Sequence, residues 1–282
     1  MGKIALKLAM VLLLLLFWFW GGIVEPYFML ELDDREVELD SWPENLNGLK
    51  VAVVGDFHAG AGPWELSRIR RAVAATNEMK ADIILLVGDF VNSSFYMTNA
   101  EPEAYAKELS ALKAPLGVYA IMGNHDARYG VKKVFEILRM AKIKILSDSG
   151  ALVKSPRGDF YVAGLSDYYS NEYSYTKAFK NRPKGVPIIL LAHTPSLFNE
   201  IPKEVSITLS GHTHGGQIKI PYRGALFSNN VLGNDFAEGL VSRDGKTIYI
   251  TRGLGTSRIP FRFMCPPQIS LLKLYKTGFA HK

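Results

Sequence analysis

Five short segments of this chain place acidic, imidazole and amide side chains directly after an apolar run. They are Gly55-Asp56-Phe57-His58, Gly88-Asp89, Gly123-Asn124-His125-Asp126, His193 after Ile188–Ala192, and Gly211-His212-Thr213-His214-Gly215-Gly216. These side chains offer nitrogen and oxygen ligands and no thiolate, a set that suits Zn, Mn or Fe(II) better than Ca, which takes oxygen alone. Asp56 and His58 are one residue apart, as are His212 and His214, so on an extended strand end each pair can point the same way. Glycines beside the ligands permit tight turns and close backbone approach to a metal or a phosphate. Taken singly, a Gly-Asp after a strand is a turn and a lone histidine is a buried, hydrogen-bonded side chain. Taken together they are more than that: five of the six histidines fall in these motifs, and only His281 lies outside.

Residues spread over about 160 positions can act together only if the fold gathers them. Apolar runs with strand character precede every motif: Leu49–Val54, Ile83–Val87, Val118–Met122, Ile188–Ala192 and Ile207–Ser210. Helical spacing over Trp64–Lys80 (Leu66, Ile69, Val73, Ala74), Pro102–Leu112 and Val131–Met140 alternates with the first of them. Phe160–Ala163, Thr247–Ile250 and Ser270–Tyr275 read as further strands, with Asp244-Gly245 a hairpin turn before the second of these. Early alternation and late strands predict an α/β layered sandwich of mixed β-sheets flanked by helices. In such sheets the carboxyl ends of the strands share one edge, and ligands bind there.

Composition agrees with one enzyme-sized domain. The chain has 282 residues, 48% apolar and 21% charged, which excludes a disordered chain and a polytopic membrane protein. One cysteine, Cys265, excludes a disulfide framework. A net charge of +6 suits an anionic substrate or membrane surface, and without a basic run no specific nucleic-acid partner is expected.

Leu8–Val24 is a 17-residue run without charge, preceded by Lys3 and Lys7 and ended by Glu25-Pro26. That is the lower limit for crossing a bilayer. A cleaved signal peptide and a helix lying in the interface have the same features, but cleavage favours small residues, and the exit here is Phe17-Trp18-Phe19-Trp20. The run reads as an uncleaved single-pass anchor, with Trp18 and Trp20 at the interface and the lysines on the cytoplasmic side, which places the catalytic domain outside the cytoplasm, in a periplasm or equivalent. The expected division is anchor 1–24, connector 25–48 with an edge strand in it, catalytic domain 49–276 and tail 277–282.

The ordered set GDFH, GDF, GNHD, AH and GHTHGG resembles the calcineurin-like metallophosphoesterases. The flanking IVEPYFMLEL and RGLGTSRIPFRFMCPPQI resemble the membrane-associated bacterial YkuE- and YaeI-like branch. The resemblance implies two divalent ions (Mn2+, Zn2+ or Fe2+), one held by Asp56, His58, Asp89 and His214, the other by Asp89, Asn124, His193 and His212. Asp89 bridges them. It further implies that His125 contacts the phosphate and protonates the leaving oxygen, and that Asp126 orients His125. The implied activity is hydrolysis of a phosphodiester or pyrophosphate bond in a phosphorylated small molecule or lipid, including a lipid or nucleotide-sugar conjugate. A UDP-2,3-diacylglucosamine pyrophosphatase with a cytoplasmic site, and a non-catalytic metal-binding scaffold, are the alternatives the same resemblance admits.

Outside the motifs, Arg252, Arg258 and Arg262 sit in a segment punctuated by Gly and Pro. Arg258 and Arg262 are the candidates for binding substrate phosphate or a lipid headgroup, with ordinary surface charge as the other reading. Residues 166–182 hold four tyrosines and suit either stacking near the site or a solvated loop. Cys265 reads as a small buried hydrophobe.

Overall fold

The structure is a computed structural model that describes residues 2–60, 64–93, 102–166 and 172–279. Its helices are α1 (Gly2–Phe19), α2 (Glu25–Phe28), α3 (Glu65–Glu78), α4 (Pro102–Leu109), α5 (Asn124–Met140) and α6 (Tyr175–Ala178). Its strands are β1 (Glu31–Leu39), β2 (Leu49–Val54), β3 (Ile83–Leu86), β4 (Val118–Ala120), β5 (Lys144–Ile145), β6 (Ser149–Ser155), β7 (Gly158–Gly164), β8 (Ile188–Leu191), β9 (Val205–Ser210), β10 (Lys219–Ile220), β11 (Gly224–Ala225), β12 (Gly239–Arg243), β13 (Lys246–Ile250) and β14 (Gln268–Lys276).

Two six-stranded mixed sheets form the middle of the molecule, in the orders β1-β14-β2-β3-β4-β5 and β12-β13-β9-β8-β7-β6. Strands β2 to β5 run parallel, as do β7, β8, β9 and β13. The near-continuous apolar runs are explained by burial on both faces. Val51, Val53, Ile83 and Leu85 face Val162, Ile189, Leu191 and Leu209 in one core between the sheets. Their neighbours Ala52, Val54, Ile84 and Leu86 pack instead on Ile69, Val73, Leu109 and Leu138 of the helices. On the far side, Ile188, Leu190, Ile248 and Ile250 are covered by Leu197, Phe198 and Phe236. The expected layered sandwich is therefore present.

Some boundaries moved for physical reasons. α5 begins at Asn124, seven residues before the helical spacing starts, and breaks at Gly130, whose φ of 128° no helix accepts. Helix 102–112 ends at Leu109. β6 and β12 are half-exposed antiparallel partners with little apolar alternation, so they left a faint sequence signal. Asp244 and Gly245, both at positive φ, make the expected turn into β13.

The expectation of a connector over residues 25–48 is corrected. β1 is indeed an edge strand, pairing in parallel with β14 along its whole length. But Val37, Leu39, Trp42 and Leu46 are fully buried in the core between the sheets, so this segment is built into the domain.

Candidate metal centre

All five motifs emerge at the carboxyl edge shared by the parallel strands: Asp56 and His58 after β2, Asp89 after β3, Asn124 and His125 after β4, His193 after β8, and His212 and His214 after β9. The turns are tight. Asp56, His58, Asp89, His212 and His214 all have φ between 47° and 72°, the left-handed region that side chains rarely occupy. Backbone bonds hold them there: Asp56 N–H donates to Gly88 O, and His58 N–H to Asp89 O. At Gly123 the lack of a side chain is obligatory, since a Cβ would lie 2.1 Å from Asp89 Oδ1.

Two overlapping groups of donors result. Asp56, His58, Asp89 and His214 form one, and Asp89, His193 and His212 the other, with the ligand atoms of each within 4.8 Å of one another. Asn124 joins the second, its Oδ1 2.8 Å from His212 Nδ1 and 3.1 Å from His193 Nε2. Asp89 Oδ2 sits between the groups, 3.4 Å from His58 Nε2 and 3.3 Å from His193 Nε2. His58 Nε2 is 3.1 Å from His214 Nε2.

Hydrogen bonds behind the ligands select tautomers. His193 Nδ1 donates to Val87 O at 2.7 Å, and His214 Nδ1 to Gly255 O at 3.3 Å, because a carbonyl only accepts. Singly protonated, both rings therefore aim bare Nε2 lone pairs inward. There His193 Nε2 meets a carboxylate oxygen and an amide oxygen with no proton between them. Acceptors facing acceptors at 3.1–3.3 Å repel unless a cation lies among them, and ligands at about 2.0–2.1 Å from a zinc-sized ion stand roughly 3.0–3.4 Å apart. The residues present thus fit two divalent ions.

Burial sets the charge state. It drives the His58 and His214 imidazoles well below their ordinary range and His212 down to about 3, keeping them neutral. It also pushes Asp56 up to about 7. Burial acts on Asp89 in the same direction, yet positive charge at the position of His193, and then of His58 and His125, holds its carboxyl well below the usual range; with the rings neutral, that charge would be supplied by a cation among them.

His125 joins the cluster edge-on to His58, ring centroids 4.6 Å apart. Its Nδ1 accepts from Ser93 N–H at 3.3 Å, which leaves the proton of the neutral ring on Nε2, 3.2 Å from Ser257 Oγ. The expectation that Asp126 orients His125 is corrected. The Asp126 carboxylate accepts the backbone N–H of Phe90, Val91 and Gly123, tying the β3 and β4 loops together. Ser93 and Ser257 hold the imidazole instead.

The arginines divide. Arg258 is exposed at the site, its Nη2 3.5 Å from Asn229 Oδ1, and Asn229 Nδ2 reaches His212 Nε2 at 2.9 Å. Arg262 is fully buried and donates to the carbonyls of Arg252, Gly253, Gly255 and Cys265, so the expectation that it binds substrate is corrected. Arg252 is also buried, paired with Glu31 and Glu238. Cys265 is buried, as expected. Of the tyrosine-rich segment, 167–171 lies outside the described residues; Tyr173 and Tyr175 pack against the domain. Sequence reasoning missed Ser93, Ser257, Asn229 and Arg68, a buried arginine that donates to Phe57 O and Leu254 O beneath the first motif.

Comparison with known proteins follows the same lines. The calcineurin-like phosphoesterase family matches residues 49–216. YkuE of Bacillus subtilis, an uncharacterized metallophosphoesterase, is 28% identical over 90% of this chain and 88% of its own. Phosphodiesterase YaeI of Escherichia coli is 30% identical over 82% and 84%. The UDP-2,3-diacylglucosamine pyrophosphatase LpxG of Chlamydia trachomatis is 25% identical over 91% and 92%. Among solved structures, a 5′-nucleotidase precursor of Thermus thermophilus aligns with a TM-score of 0.50 at 17% identity over 73% of this chain, which shows the shared fold. The chain spans about half the length of that protein, 49%.

Proposed function

The chain belongs to the calcineurin-like phosphoesterase family and is a metal-dependent phosphoester hydrolase, and from that premise we propose that it is a binuclear enzyme cleaving a phosphodiester or pyrophosphate bond in a membrane lipid or nucleotide-sugar conjugate. The observation that carries the binuclear reading is Asp89, whose Oδ2 lies within 3.4 Å of an imidazole nitrogen from each donor group. One carboxylate between two sites offsets the repulsion between two dications.

The first ion would be held by Asp56, His58, Asp89 and His214, the second by Asp89, Asn124, His193 and His212. When bound, such ions (Mn2+, Zn2+ or Fe2+) supply Lewis acidity and neutralise charge on a phosphate ester. The protein's own groups do the rest. His125 presents an N–H at Nε2, where it donates to a phosphate oxygen. To protonate the departing oxygen it first takes a second proton on Nδ1, which Ser93 Oγ, 3.0 Å away, can accept as a hydrogen bond, and the imidazolium then gives up its Nε2 proton. Arg258, exposed and on the same side, pairs with a phosphate or diphosphate oxygen. Ser93 and Ser257 keep the imidazole from rotating away.

The lipid half of the reading rests on α1. It continues through α2 as 27 helical residues, Gly2–Phe28, long and apolar enough to cross a membrane, with nearly all of its apolar 18-residue window outside the core. The anchor would keep the metal centre beside the bilayer, with the domain on the non-cytoplasmic side. The lipid-conjugate pyrophosphatase among the relatives favours the second reading, a UDP-diacylglucosamine-type substrate reached from the cytoplasm. Metal-loaded full-length protein assayed on bis(p-nitrophenyl) phosphate and on a nucleotide diphosphate-sugar tests the chemistry. Hydrolysis that is lost with chelator and restored by Mn2+ or Zn2+ is expected. No turnover of either substrate with two ions bound overturns it.

A further inference from the structure

The exit end of α1 is bolted to the catalytic domain rather than hung on a tether. Phe17 packs on Phe261 and Phe263 with ring centroids 5.2 and 4.9 Å away, and Trp18 meets Phe261 at 5.0 Å. Gly21 O accepts Arg262 N–H at 2.8 Å, and a Cβ on Gly21 would overlap the Phe261 ring. The buried Glu25 carboxylate accepts Trp20 Nε1–H and the backbone N–H groups of Met264 and Cys265.

The segment gripped in this way is also the one that brings Ser257 to His125 and Arg258 to the mouth. Beside it runs the loop from Gln217 to Leu232, joined by Gln217 Nε2 to Ile259 O and Phe261 O, and by Lys219 N–H to Phe263 O. Asn229 of that loop touches His212. Both stretches expose bulky apolar side chains: Tyr222, Leu226, Phe227, Val231, Ile259 and Met264, with Phe227 at 75% and Val231 at 85%. Arg223 and Arg258 are exposed among them. Large apolar groups grouped with cations around a site mouth are poor solvent surface, and they are the composition of a surface that lies in the headgroup layer.

We propose that the 222–231 loop and the 257–264 segment form a second membrane contact, seated in the leaflet at the exit end of α1, so that the metal centre opens sideways into the headgroup layer. The bilayer is the occupant that the geometry favours, because these side chains continue from the exit end of a helix whose own apolar surface is uncovered. The substrate class follows: a phosphate ester or diphosphate of an amphiphile, reached without leaving the leaflet. The docking rests on reading α1 as an anchor, and the substrate class rests also on the proposed chemistry.

The test uses the full-length chain in vesicles of phosphatidylcholine with phosphatidylglycerol. Single cysteines replacing exposed residues, Phe227→Cys and Ile259→Cys, carry an environment-sensitive fluorophore, with Lys154→Cys on the opposite edge of the sheets as control; native Cys265 is buried. The expected result is a blue-shifted label at the first two positions, quenched several-fold more by nitroxide on lipid chains than the label at Lys154. Quenching equal to that at Lys154 overturns the docking, and a blue shift without lipid quenching assigns the patch to a second copy of the chain and also overturns it. In parallel, Phe227→Asp with Val231→Asp should cut turnover of a vesicle-borne phosphodiester several-fold and leave that of bis(p-nitrophenyl) phosphate unchanged. Equal turnover of both overturns lateral access. Absent turnover of the soluble ester by the unsubstituted protein is a failure of the proposed chemistry alone, because the labels report docking without it.

Discussion

The Ser257 hydroxyl lies 3.2 Å from His125 Nε2, across 132 residues of sequence. With Ser93 N–H on the other nitrogen, the ring is clamped from two loops. His125→Ala should keep both metals and lose about 10²–10⁴-fold in kcat, most for esters with poor leaving groups. Ser257→Ala should cost less than His125→Ala and leave metal content unchanged. Loss of one ion from His125→Ala, read by metal analysis, would make that residue a ligand and end its role as acid.

Asp89→Asn removes the charge that sits between the donor groups. The neutral amide should lower occupancy of both sites and abolish turnover. Two equivalents of metal retained with near-normal rate would sink the bridging role.

Much of this site was legible because ligands at strand ends sit on long apolar runs. Burial on both faces leaves β3 and β8 wholly apolar until the chain reaches Asp89 or His193, and β2 has only Lys50 near its start before Asp56. β9, which carries Ser206, Thr208 and Ser210 before His212, is the weakest of the four runs. The supporting shell was not legible. Ser93 and Ser257 lie in loops with no period, and a serine is an ordinary loop residue until the fold sets a histidine beside it. Arg258 and Arg262 read alike within one Gly- and Pro-punctuated stretch, since an arginine aimed at four carbonyls and one aimed at solvent carry the same letter. Asp126 misled for a related reason: its place beside His125 in the motif is real, but as the third residue of α5 it caps the Gly123 N–H instead.

The two arginines should separate by experiment. Arg262→Ala strands the carbonyls of Arg252, Gly253, Gly255 and Cys265 in the interior, and a loss of about 3 kcal/mol or more is expected. Arg258→Ala should leave the melting temperature unchanged and raise KM for a phosphodiester. A stable Arg262→Ala with raised KM would reverse the assignment.

Stability of the metal-free chain should fall on acidification. Burial lowers the folded pKa of His58, His125, His212 and His214, His212 to about 3. Below about 6.5 the unfolded chain takes protons that these folded imidazoles refuse, so their contribution is lost as pH drops from there. Asp56 and Asp126, both raised to about 7, act oppositely, binding protons when folded and contributing stability that is lost as pH rises from about 4 toward 7. Burial raises Glu65 as well, in the same sense, and four imidazoles outnumber these three carboxyls. Melting temperatures in chelator should therefore decline between pH 6.5 and 4.5, and a rise over that interval would contradict the neutral cluster.

The last expectation concerns α1 and the side of the membrane on which the site works. Its apolar surface lies outside the core from Ile4 to Trp20, while Phe17, Trp18 and Gly21 hold the domain. A helix left so exposed by its own fold fits a membrane anchor. Full-length protein should resist carbonate extraction from membranes, and release by carbonate would remove the anchor. Lys3 and Lys7 precede the apolar run and the exit end carries Glu25, so the basic end should stay cytoplasmic and the metal centre should face outward. Glu25 does not weaken that argument, because its carboxylate is buried against Met264 and Cys265 within the domain, outside the span. Protease added to intact spheroplasts should therefore digest the catalytic domain. Protection until lysis would place the site in the cytoplasm, and the substrate would then be sought among cytoplasmic nucleotide conjugates of lipids.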